Sequence, residues 1–280
     1  MKPRPLLLAV LLLCSTAGMA QALESTRFEE RCFSWGGGGT NLLDTYLSPL
    51  QFRGPHVAMQ SERFAQTAAP SKRWFSQSLF ALHGDYTRPA SRNGLMVTGM
   101  MSYGYTQYHI FPLWRDKKRI FLFVGPQAQL RIGGIYNLRN SNNPAQLKLG
   151  INLAASAIVK YSFSSRNTPM SIRLQADTPL LGMAFGPDYG QSYYEIFYLG
   201  QSKGCVHATS LHNNLSLRSR LYYDIELPPC TLRLTWLEDL YHWSLGGQQY
   251  RMFTHTVMIG LVRNLYHVRL KDEMKQHIPY

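Results

Sequence analysis

The sequence predicts an all-β protein, an antiparallel up-and-down transmembrane β-barrel of about ten strands (eight to twelve would fit) behind a signal peptide. Three observations predict it. Apolar and polar residues alternate over stretches longer than an ordinary strand of roughly five or six residues. After residue 22 no apolar run approaches the roughly 20 residues that a membrane helix needs. The chain also opens like an exported protein. Only helices and closed barrels satisfy every backbone group in lipid, so an exported chain without such a helix crosses a membrane as a barrel or does not cross.

Lys2 and Arg4 precede the apolar run from Leu6 to Cys14, and Ala17, Gly18, Ala20 and Ala22 follow. A charged start, a short apolar run and small residues at the exit mark a signal peptide over residues 1–22. A lipid-modified Cys14 is the alternative, but Leu11, Leu12 and Leu13 stand where lipoprotein processing wants a small residue. Residues 23–280 then form a single barrel domain.

Ala145 to Phe163 alternates best. Its odd positions run Ala145, Leu147, Leu149, Ile151, Leu153, Ala155, Ala157, Val159, Tyr161 and Phe163, and its even positions are nearly all polar or small. That length crosses a membrane, where about 9–11 tilted residues suffice. Gln127 to Arg139 repeats the rule, with Ile135 the exception on the polar face. Pro126 lacks an N–H and belongs outside the membrane part or at a bulge. Leu215 to Leu227 and Leu95 to Phe111 alternate well. Cys32–Leu42, Pro55–Gln66, Trp74–Tyr86, Met170–Thr178, Thr231–Tyr241 and Gln249–Val262 are weaker, and Gly36 to Gly39 suggests a bend in the first. An even count puts both termini on the periplasmic side. It also puts the longest connections, Leu43–Gly54 and Pro179–Gly204, outside and the Pro228-Pro229 turn inside, as in outer-membrane barrels. Tyr103, Tyr105, Tyr136, Tyr161, Tyr223 and Tyr266 fall toward strand ends, where an interfacial girdle would sit.

Without residues 1–22 the chain keeps 27 basic and 16 acidic residues. Export argues against nucleic acid as partner. That leaves outer-membrane lipid and lipopolysaccharide, with a small anionic solute as the candidate ligand. Three cysteines remain, so at most one disulfide forms. Cys32 and Cys230 fall on the same rim and are the candidate pair.

Three stretches resemble an uncharacterised family of outer-membrane β-barrels of Bacteroides-type bacteria, a domain of unknown function. They are Leu43-Asp44-Thr45-Tyr46-Leu47-Ser48-Pro49-Leu50, Tyr189-Gly190-Gln191-Ser192-Tyr193-Tyr194-Glu195-Ile196, and Tyr250 to Val262 with Met258-Ile259-Gly260 near its end. The resemblance implies the barrel and carries no activity or catalytic residue.

The polar faces would point into the lumen. They carry Arg131, Arg139, Lys148, Lys160, Arg173, Arg218, Arg220 and Arg233 against Asp177, Asp224 and Glu226. This basic excess suits an anionic ligand, because guanidinium groups fit phosphate and carboxylate. It equally suits an interior filled by its own side chains. Tyr193, Tyr194 and Glu195 mark an external binding loop or a plug. Ser192, His207 and Asp224 can be combined on paper into a nucleophile set, though nothing in their spacing requires it. His207 and His212 are five apart and fall on opposite faces of a strand, which with His255 gives no metal-ligand pattern. Gly36–Gly39 lacks the Lys-Ser/Thr of a phosphate loop. No cofactor is implied. Three readings follow: a barrel without catalytic function, serving as a narrow solute pathway or a surface structural or binding protein; an outer-leaflet hydrolase or acyltransferase; and a soluble secreted β-barrel or sandwich.

Overall fold

The computed structural model describes residues 27–67, 73–113, 120–141, 143–166, 168–227 and 230–267, with side chains from residue 28 to 264. The expected signal peptide at 1–22, the expected turn at Pro228-Pro229 and the Tyr266 side chain lie outside that description. The strands are β1 (Arg27–Asp44), β2 (Ser48–Gln66), β3 (Trp74–Pro89), β4 (Met96–Pro112), β5 (Ile120–Asn137), β6 (Ala145–Ser165), β7 (Thr168–Phe185), β8 (Val206–Ser210), β9 (Leu217–Leu227), β10 (Cys230–Leu245) and β11 (Gln248–His267). One short helix, α1 (Tyr193–Phe197), lies between β7 and β8.

Apart from β8 and β9, each strand pairs antiparallel with its neighbours in sequence, and β1 pairs with β11 from Arg27↔His267 to Asp44↔Tyr250, which closes the barrel. One half of β7 pairs with β8 and the other with β9. Those two strands share one place in the wall, so the barrel has the ten places that alternation predicts. We call the end holding the first and last described residues the terminal end, and the other the loop end.

Along every strand inward and outward side chains alternate, and the outward ones are mostly apolar. Trp35, Val57, Ile151 and Val257 are each more than 60% exposed and face away from the barrel, with Phe33, Met59, Leu174, Leu221, Trp236 and Leu261 around them. A soluble monomer rarely leaves so large an apolar patch uncovered, whereas a membrane barrel requires an outward apolar band. On β1 the band lies between Arg31 and Asn41. Ten residues at barrel tilt rise about 25 Å, the height of such a band. Closure, band and polar interior together give the architecture of an outer-membrane β-barrel. They exclude the soluble sandwich.

Three expectations change. Leu43–Gly54 is no long loop: β1 and β2 continue through it and are joined by residues 45–47 alone. The long connection follows β7, which itself runs on to Phe185. β5 begins before Pro126 and passes through it. The β4–β5 ladder lapses between Thr106↔Gln127 and His109↔Val124, so the missing N–H costs no bond there. The four glycines lie within β1. A Cβ on Gly36 or Gly38 would collide with the carbonyl oxygens of Val257 and His255, so close approach of β11 demands glycine at both.

Candidate functional site

The interior is the first candidate, and side chains fill it in three layers. At the terminal end Phe64, Tyr108, Phe123 and Ile158 pack with Phe28, Phe75, Ile110 and Phe121. At the loop end Leu42, Phe52, Met96, Met100, Ile135, Trp243, Tyr250 and Met252 form a second apolar layer.

Between them lies a polar layer. Arg233 donates to Asp224 at 2.6 and 2.8 Å, to Glu30 at 2.5 Å and to Glu62 at 2.9 Å. Arg173 donates to both oxygens of Glu62 at 2.8 Å and lies over the Tyr222 ring. Gln77 links Glu62 to Gln175, and Tyr108 and Ser156 carry the chain of bonds to Asp177, which accepts from Arg220 at 2.6 Å. Further up, Arg218 grips Asp239 at 2.5 and 2.9 Å and donates to the Tyr241 hydroxyl at 2.8 Å. Arg131 lies flat on the Tyr241 ring, 3.2 Å from its centre. Beside the loop-end apolar layer, Lys148 pairs with Asp44 at 2.8 Å, and His56 meets Asp85 at 2.6 Å.

Of the lumen residues expected from sequence, Arg131, Lys148, Arg173, Arg218, Arg220, Arg233, Asp177 and Asp224 all point inward. Lys160 is half-buried near the terminal end. Arg139 and Glu226 do not belong: both are exposed, because alternation runs past the rim at each end of the barrel. The basic excess also disappears. Glu30, Asp44, Glu62, Asp85 and Asp239 face inward too, so the six interior cations (Arg131, Lys148, Arg173, Arg218, Arg220, Arg233) meet seven carboxylates among the described residues. These acids lie on β1, β2, β3 and β10, where alternation is faint. The outward residues Phe33, Trp35, Val57, Met59, Leu234 and Trp236 would have revealed the parity. The cavity among Ser102, Asn152, Arg131 and Arg218 measures about 40 Å³, room for a few waters.

The loop end carries the second candidate, a cap. Residues 186–205 fold over the rim: Tyr189 N–H donates to Gly246 O at 2.8 Å, and Gln248 donates to Asp188 O at 3.1 Å. Ser192 caps α1 by accepting from Glu195 N–H, and the Glu195 carboxylate accepts in return from Ser192 N–H at 2.7 Å. These bonds hold the Glu195 carboxyl below its ordinary range. The Tyr193 hydroxyl accepts from Leu147 N–H at 2.6 Å, and its ring meets Tyr46 edge-on and stacks on Phe197. Burial pushes that hydroxyl's pKa up. Tyr193 is thus a strut and Glu195 a cap residue. Tyr194 and Tyr198, stacked at 4.8 Å, are exposed, as are Tyr189 and Phe197.

No nucleophile set assembles from the residues named for it. Ser192 caps α1 and His207 bonds Gly186 O at 2.9 Å at the loop end, while Asp224 binds Arg233 in the polar layer. Among the described residues no group of three His, Cys, Asp or Glu could hold a metal.

The Cys32–Cys230 pairing is also overturned, since both thiols are free. Cys32 points inward on β1, Cys230 has the outward parity of β10, and β11 runs between them. Two strand spacings amount to about 10 Å, beyond the roughly 7 Å that a disulfide spans.

Among solved structures, the outer-membrane protease OmpT of Escherichia coli is 6% identical with a TM-score of 0.48, over 89% of this chain and 99% of that one. The transport unit of the autotransporter AIDA-I of Escherichia coli is 8% identical with a TM-score of 0.45, over 92% and 96%. The translocator domain of the autotransporter NalP of Neisseria meningitidis is 8% identical with a TM-score of 0.42, over 94% and 95%. By sequence, no curated protein is similar to the chain. The match that does place it runs from residue 5 to residue 272, and by that match the chain belongs to a family described as a protein of unknown function, DUF3316.

Proposed function

We propose that the protein is a sealed outer-membrane barrel that serves as a membrane-anchored scaffold and displays the 186–205 cap for binding at the cell surface. One observation carries the reading: two apolar layers and a charge-matched polar layer fill the bore from end to end. A path for an anionic solute would need an unmatched basic lining, and the interior carboxylates match it. The signal peptide at 1–22 accounts for export, and an even number of wall places puts both termini in the periplasm and the cap outside. The surrounding lipid is that of a Gram-negative outer membrane, of the Bacteroides type implied by the three stretches above.

The test is conductance. Purified protein inserted into a planar bilayer should show no steady open level above the bare membrane. A reproducible single-channel conductance would overturn the sealed reading. Labelling of intact cells tests the display: an impermeant amine reagent should reach Lys203, in the cap. Protection of Lys203 in intact but not lysed cells would overturn the orientation.

A further inference from the structure

Two grooves on the outer wall follow one another along β1 and β2. The first, of about 940 Å³, lies at the loop-end edge of the apolar band. Arg53, His242 and Arg251 line it beside Leu43, Leu240 and Phe253, and no carboxylate does. Arg53 and Arg251 are exposed and have the outward parity of their strands. Asn41 pairs with Arg53 on one side of β1, and Leu43 pairs with Arg251 on the other. The two arginines are therefore two strand spacings and two residues of rise apart, about 12 Å between Cα atoms.

The second groove starts four residues nearer the terminal end, measures about 900 Å³ and is almost wholly apolar. Gly37, Val57, Gly84 and Gly99 are successive register partners across β1 to β4 and form its floor. Trp35 and Met59 stand at its wall. A Cβ on Gly99 would meet nothing within 4 Å, so the fold does not demand glycine there. Gly39 and Pro55 separate the two grooves, with the His255 ring resting against Gly39.

We infer that the paired grooves bind one lipid of the loop-end leaflet, a phosphorylated and multiply acylated glycolipid. Its phosphates would lie on Arg53 and Arg251 and its chains over the glycine floor. Guanidinium groups grip phosphate at the level of the headgroups, and the apolar groove lies at the depth of the chains. Two separated cations suit a sugar head with two phosphates better than a single phosphodiester. The inference rests on the membrane placement and orientation proposed above.

The experiment uses the full mature protein in nanodiscs of phosphatidylcholine doped with diphosphorylated lipid A, with retained lipid read by native mass spectrometry. The unmodified protein should keep one lipid A through detergent exchange. Arg53→Ala with Arg251→Ala should reduce the retained fraction about tenfold, the worth of a lost charge-assisted phosphate contact. Gly99→Phe, which fills the floor from open space, should reduce it severalfold. Arg263→Ala, an exposed arginine at the terminal end of β11, should change nothing. Each variant is first shown to be folded by its heat-dependent gel shift. Equal retention in the double arginine variant, displacement of lipid A by an equal share of phosphatidylglycerol, or a dimer mass that excludes lipid would each overturn the inference. Protein that does not enter the discs at all would sink the membrane placement as well, whereas insertion without lipid A retention sinks this inference alone.

Discussion

The polar layer and the loop-end apolar layer fill the same bore by opposite means, and they should fail differently. In the polar layer most charged groups are held by opposite charge: Arg233 reaches Glu30, Glu62 and Asp224, and Arg131 rests on the Tyr241 ring instead. Burying ions costs several kcal/mol apiece, and good pairing roughly offsets it. Such a layer specifies which strands meet more than it stabilises their meeting. The apolar layer needs no partners, only volume, and its methionines Met96, Met100 and Met252 are flexible enough to fill irregular space.

The largest expected effect follows from that contrast. Arg233→Ala removes both arginine bonds from Asp224 and one each from Glu30 and Glu62, which keep Arg173, and should destabilise the barrel by about 3–5 kcal/mol, the cost of a broken buried pair. The denaturant midpoint, followed by the gel shift of folded against unfolded barrel, measures it. Replacing both partners of a neighbouring pair, Glu62→Leu with Arg173→Met, should cost less than Arg173→Met alone. If the double change costs more, the layer's charges contribute net stability and the contrast breaks.

Ile135→Ala probes the other layer. Ile135 is fully buried among Met96, Met100 and Met252. Loss of three carbons should cost about 2 kcal/mol, near the low end for such truncations because the methionines can move in. A cost equal to that of Arg233→Ala would show a rigid layer and remove the distinction.

Ile135 also shows what was legible in the sequence. It looks like a flaw in alternation because the rule assumes a polar lumen, yet part of the loop-end lumen, around Ile135, is apolar. Over residues 95–227 the parity of nearly every strand residue was readable, since the outward partners are large and the inward ones polar. On β1 and β2 the inward Gly36, Gly38 and Ala58 blur the contrast, and so Glu30 and Glu62 were missed. Strand ends were the other failure. Arg139 and Glu226 keep the parity of the lumen but stand beyond the wall, where parity no longer implies burial. The cap was legible only as an aromatic loop. That Tyr193 would be a strut depends on Leu147 N–H, left unpaired where the β6–β7 ladder stops at Leu149↔Phe185. No spacing in the sequence encodes that meeting.

The smallest expected effect lies in the cap, where charge works at the surface instead of inside the bore. The Glu195 carboxyl is held below its ordinary value of 4.5 by the N–H and hydroxyl of Ser192. A carboxyl with a lowered pKa in the folded state contributes stability above its ordinary value, and that contribution is lost as pH falls through the lowered one. Amide exchange at Glu195 and Ile196 should therefore lose protection, after correction for intrinsic rates, between about pH 4.5 and the lowered value. The gel shift of the barrel should not change over the same range. Glu195→Gln keeps an acceptor for Ser192 N–H, as capping boxes with glutamine do, and should remove the pH dependence while retaining most of the protection. Protection that stays constant with pH in the unmodified protein would mean that contacts of Tyr193 and Phe197 with the rim hold α1, with the capping box contributing little.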